Sequence, residues 1–71
     1  SSGVADDDLI EAVARGMRKI NIATHLNTLF TQRAREVLEA QPQIVDPRKY
    51  LGPAKDVVED EVARLLAAVV V

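Results

Sequence analysis

The sequence has 71 residues, enough for one small domain and no more. With no cysteine and one histidine, neither a disulfide framework nor a Cys/His metal staple is expected, and the missing cysteine fits a reducing compartment. A formal net charge of −2 gives no electrostatic reason to expect nucleic acid or an anionic membrane surface, and no apolar run approaches the roughly 18 residues of a membrane span.

Ser1 to Ala5 reads as a short loop in which Gly3 is free to take a positive φ. The start carries neither a basic flank nor an initiator methionine, so it reads as a chain entered in its middle rather than a signal peptide. Asp6, Asp7 and Asp8 then lead into the helical pattern Leu9, Ile10, Val13, Ala14 and Met17. Carboxylates there offset the unpaired amides and positive dipole of a helix start. A triple Asp also suits a hard cation, but ligand spacing of the EF-hand kind is absent and capping accounts for the run. The pattern predicts a helix over 6–15, closed by Gly16 as the residue after its cap.

Arg18-Lys19-Ile20-Asn21-Ile22-Ala23-Thr24 alternates, with Ile20 and Ile22 on one side and Lys19, Asn21 and Ala23 on the other. That alternation predicts a strand over 18–23, ending at Thr24 as the cap of a following helix. One strand cannot make a sheet, so it calls for strands from elsewhere. Leu26, Leu29, Phe30, Ala34, Val37 and Leu38 then form one apolar stripe and predict a helix over 25–40, stopped near Gln41-Pro42. Asp46-Pro47 reads as the cap and first residue of a short turn through Leu51. Gly52-Pro53 should break it, and Ala54, Val57, Val58, Val62, Leu65, Leu66 and Val69 predict a last helix over 54–68.

His25, the single imidazole, lacks a second zinc ligand and a nucleophile to pair with, and reads as a helix-start residue on solvent or a ligand rim. The polar junctions carry more. Ser1-Ser2-Gly3 precedes one helix, and Asn21 to Thr24 precedes the next. In a (β/α)₈ barrel such βα-loops share one rim, where amides and hydroxyls commonly hold phosphate.

Ser2-Gly3-Val4, the acidic helix start, Arg18-Lys19-Ile20-Asn21-Ile22-Ala23-Thr24 and Phe30 resemble the carboxyl-terminal part of class II fructose-bisphosphate aldolases, and tagatose-bisphosphate aldolases share much of this pattern. Asp46-Pro47-Arg48-Lys49-Tyr50-Leu51-Gly52-Pro53-Ala54 is similar to the segment those enzymes carry after their eighth barrel helix. The resemblance implies a zinc-dependent (β/α)₈ lyase joining or splitting dihydroxyacetone phosphate and an aldehyde. It gives Ser2, Gly3, Ala23 and Thr24 to the ketose phosphate and places Asn21 against the dihydroxyacetone moiety. The zinc-binding histidines and catalytic aspartate of the family lie upstream and are not in this sequence. The position of His25 is usually acidic in the family, Asn27 stands where many members carry a base, and Ala23 is often Asp or Asn. These departures leave fructose and tagatose both open.

The resulting expectation is an α/β chain. Residues 1–71 form the carboxyl-terminal part of one barrel domain, mostly helical in isolation and inactive alone. The intact enzyme is expected to be cytoplasmic and homo-oligomeric, with zinc as cofactor and a sugar phosphate as partner, and without nucleic acid or membrane. The alternative is a small helical interaction module without catalytic activity.

Overall fold

A computed structural model of the chain describes residues 6–69. It consists of two helices, α1 (Asp6–Ala40) and α2 (Arg48–Val69), joined by residues 41–47. Among the described residues there is no strand, so residues 18–23 are helical and the strand expectation is corrected. The physical reason is hydrogen-bond closure. An extended segment leaves its amides and carbonyls unpaired unless a neighbouring strand accepts them, whereas a helix closes them within its own turns. Two β-branched isoleucines in seven residues express a preference too weak to outweigh that.

The expected stop at Gly16 is corrected with it, because α1 runs through this position. A Cβ on Gly16 would meet nothing within 4 Å, so the glycine serves no close approach. Asp6, Asp7 and Asp8 occupy the first turn, where their charge suits the dipole. At the other end the amide of Gln41 donates to the carbonyl of Val37 at 2.9 Å, and Pro42 stops the helix there.

Asp46 caps α2 as its spacing predicts, its Oδ1 accepting from the Arg48 amide at 3.0 Å. The Arg48 side chain folds back on the same carboxylate, Nη2 donating to Oδ2 at 2.8 Å. The Leu51 amide donates to the Pro47 carbonyl at 2.9 Å, so the first turn is complete before the proline is reached. Gly52-Pro53 does not break the helix, contrary to expectation. Gly52 has no Cβ for the Pro53 ring to strike, and Pro53 lies near the helix start, where one missing amide costs one bond.

The helices form an antiparallel hairpin of unequal arms. At about 1.5 Å per residue α1 is ~52 Å long and α2 ~33 Å, so α2 covers only the second half of α1. The covered face carries Leu26, Leu29, Phe30, Ala34 and Val37 against Tyr50, Pro53, Ala54, Val57, Val58 and Leu65, all wholly or partly removed from water. Among the described residues only Val37 and Ala54 are buried, Ala54 at 0% exposure. The molecule measures 61 × 29 × 14 Å with a radius of gyration of 18.1 Å, against about 11 Å for a compact domain of this length. It is a single layer of helix with a seam rather than a core.

Gly16→Ala tests whether the first half of α1 is continuous. Alanine in an open helix interior should raise the melting temperature, by the equivalent of about 0.5–1 kcal/mol. A loss of stability would restore the helix end at Gly16, where only glycine is comfortable.

Candidate functional site

The amphipathic character of α1 changes sides partway along its length. With successive residues turning ~100° about the axis, the line that faces α2 passes through Leu26, Leu29, Phe30, Ala34 and Val37. Extended toward the N-terminus, the same line meets Asp8, Glu11, Arg15 and Lys19, at or beyond the reach of α2. The opposite face reverses the order. Leu9, Ile10, Val13, Met17 and Ile20 make its first half apolar, and Thr24, Asn27, Thr28, Thr31, Gln32 and Arg35 line a shallow polar groove on its second half.

The residues expected to hold phosphate fall at this changeover. Asn21, Ala23 and Thr24 are exposed positions in the middle of α1. Asn21 and Thr24, one turn apart, are neighbours on the helix surface, and Thr24 opens the polar groove. Ser2 and Gly3 lie outside the described residues. The expected cap at Thr24 is corrected, since helix precedes it as well as follows it. Its carbonyl accepts the Oγ1 hydroxyl of Thr28 at 2.8 Å, and the amides after it are spent on intrahelical bonds. The groove therefore offers side-chain donors, hydroxyls and carboxamides with one guanidinium, and not a fan of free amides.

His25 is not simply a solvent-facing residue. Its Nε2 meets Oε2 of Glu61 on α2, the one side-chain hydrogen bond joining the two helices among the described residues. Glu61 also accepts from Arg64, Nε to Oε1 at 2.5 Å and Nη2 to Oε2 at 2.9 Å. The Arg64 guanidinium first, and the His25 ring after it, hold the Glu61 carboxyl at about 2, below its ordinary 4.5. Reasoning from sequence missed this cluster. Glu61 and Arg64 carry a helical pair spacing, but nothing local links His25 to a residue 36 positions away.

Past the cluster the hairpin opens into a cleft lined only by apolar side chains: Ile22, Leu26, Val62, Leu65, Leu66 and Val69. Ile20, expected on the same face as Ile22, points instead to the far side of α1, as helical spacing requires. Among the described residues no three His, Cys, Asp or Glu side chains gather as a metal site. The donor set of the described residues does not fit zinc.

A group whose folded pKa is depressed stabilises the fold above its unfolded pKa and loses that contribution as pH falls toward the folded value. For Glu61 the window runs from pH 4.5 down to about 2. Thermal melts of the wild type should fall more steeply through that window than those of Glu61→Gln, and the two should run parallel above it. Parallel curves throughout would remove the His25–Glu61–Arg64 cluster as a helix-to-helix tie.

A model of the family described as fructose-bisphosphate aldolase class-II matches residues 1–70. A fructose-bisphosphate aldolase of Thermus caldophilus is 44% identical over 62 residues, which is 87% of this chain and 20% of that protein. The chain thus spans about a fifth of the length of that curated relative. No solved structure matches. With nearly every residue inside the family match and a relative of that identity, the chain belongs to the class-II fructose-bisphosphate aldolase family.

Proposed function

We propose that the chain is one segment of a class II ketose-bisphosphate aldolase that reversibly cleaves fructose 1,6-bisphosphate to dihydroxyacetone phosphate and glyceraldehyde 3-phosphate. The family match over residues 1–70 carries this reading, and the named activity of the 44% identical relative supports it. On this reading the full-length enzyme is a cytoplasmic, homo-oligomeric (β/α)₈ lyase. Its zinc polarises the ketone and is bound by residues outside this chain. The 71 residues alone carry no reaction centre and are inactive.

The part we assign to this segment is the ketose phosphate, held by Ser2, Gly3, Ala23 and Thr24, with Asn21 beside the adjoining carbons. Two features of the chain support the assignment. Asn21 and Thr24 are exposed and adjacent on the helix surface, and Thr24 continues into a groove of hydroxyls and carboxamides reaching Arg35. Hydroxyl and amide donors to a dianion make charge-assisted hydrogen bonds, stronger than neutral ones. The other reading, a helical interaction module, is favoured by the apolar face on the first half of α1, where the hairpin leaves large side chains exposed.

Substitution in the full-length protein separates these roles. Thr24 is not a helix cap here, so Thr24→Ala should leave the melting temperature near that of the wild type. Its affinity for dihydroxyacetone phosphate should fall by roughly 1.5–3 kcal/mol, the worth of a hydrogen bond to a charged group. Asn21→Ala should weaken the same ligand. Calorimetric titration reads both, and unchanged affinity in the two variants would withdraw the phosphate role.

A further inference from the structure

Asn21 and Thr24, the donors assigned to the ketose phosphate, stand where α1 passes from its uncovered half to the half that packs on α2. Apolar packing holds that turn loosely. Ile22 and Leu26 meet Val62, Leu65, Leu66 and Val69 around an open cleft, and Ile22 and Leu66 remain 49% and 60% exposed. A seam with a gap in it forfeits the contacts that would stop one helix from rolling on the other.

A polar contact meets the same turn. His25 follows Thr24 in sequence and is the i+4 neighbour of Asn21 on the helix surface. Its Nε2–H donates to Oε2 of Glu61, the side-chain bond that joins the helices. The Glu61 side chain is 13% exposed, against 48% for His25. Arg64 donates to both oxygens of that carboxylate from α2 itself. Glu61 is thus fixed on its own helix before it meets His25, and its carboxyl, held at about 2 by Arg64 and then His25, stays ionised through the neutral range. An acceptor held in this way sets the His25 ring, and with it the α1 backbone beside Thr24.

We propose that His25 and Glu61 are positioning residues for the ketose phosphate, their bond fixing the turn of α1 that carries Asn21 and Thr24. The inference rests on the phosphate reading given above and adds to it two residues that act through those donors. Charge-assisted bonds to phosphate oxygens form at about 2.7–2.9 Å, so a small rotation of the turn lengthens them together. Such a displacement weakens ground state and transition state alike, and it is therefore felt in KM rather than in kcat.

Calorimetric titration of dihydroxyacetone phosphate into the full-length protein tests this, beside steady-state kinetics with fructose 1,6-bisphosphate. Glu61→Ala and His25→Ala should each weaken the ligand roughly 10-fold, raise KM by a similar factor and leave kcat at saturation near wild type. Glu61→Gln should keep most of the affinity at neutral pH, because its carbonyl oxygen still accepts from His25. The Glu61→Ala/His25→Ala pair should cost no more than either change alone, since the same bond is lost in all three. In a protein already carrying Thr24→Ala and Asn21→Ala, Glu61→Ala should cost little further, because the donors it places are gone. His25 is exposed enough for its alanine variant to give the reading where Glu61→Ala fails to fold. Thr24→Ala and Asn21→Ala weakening the ligand while His25→Ala does not would overturn the positioning role and leave the phosphate reading standing. No loss in any of these variants would withdraw both. A lower melting temperature with unchanged affinity, or an undiminished effect of Glu61→Ala in the Thr24→Ala/Asn21→Ala protein, would also overturn the proposal and leave the bond as a brace of the hairpin.

Discussion

Every amide of a chain segment must find an acceptor, and between Asp6 and Ala40 the acceptors lie inside the segment itself. This constraint decides the rest of the molecule. It turns the alternating stretch around Ile20 and Ile22 into helix. It carries the backbone through a glycine that has every local reason to end it. It also sends the two isoleucines to different sides, one toward the cleft and one away from α2.

Tertiary contact is correspondingly sparse. Residues 41–47 reverse the chain, Asp46 starts α2, and Ala54 is the most deeply buried described residue of the seam. Farther along, the half-buried Leu26 and Leu65 continue the seam, with His25, Glu61 and Arg64 beside them. The carboxylate between a ring and a guanidinium gives the hairpin a polar tie where apolar packing is thinning.

Part of this was legible in the sequence. The stripe from Leu26 to Val37, the halt before Pro42, the acidic opening turn and the Asp46 cap are local patterns, and each lies where its pattern places it, whereas Leu38, counted with the stripe, is exposed. What was not legible depended on alternatives that a pattern cannot weigh. The alternation at Arg18 to Thr24 competes with hydrogen-bond closure, and Gly52-Pro53 with the tolerance of an early helical turn. The polar junction at Asn21 to Thr24 was expected to owe its donors to a helix start. In the helix those donors are side chains alone. The change of apolar side between Ile20 and Leu26 was present in the spacings, but it becomes visible only once both stretches are known to share one axis.

The unequal arms give one copy of the chain a built-in gradient of protection. Opening the helix near Ala54 means separating two helices, whereas unwinding the first few turns of α1 breaks no contact with α2. Arg15, Arg18 and Lys19 stand in or at the edge of the unsupported turns, so a protease that cuts after basic residues finds three exposed sites close together there. A nick at that place would remove the charged and apolar sleeve of α1 and leave the hairpin that contains Val37, Ala54 and the Glu61 tie. Such a cut falls just ahead of the change of apolar side between Ile20 and Leu26, so the molecule divides close to the joint between the two amphipathic halves of α1.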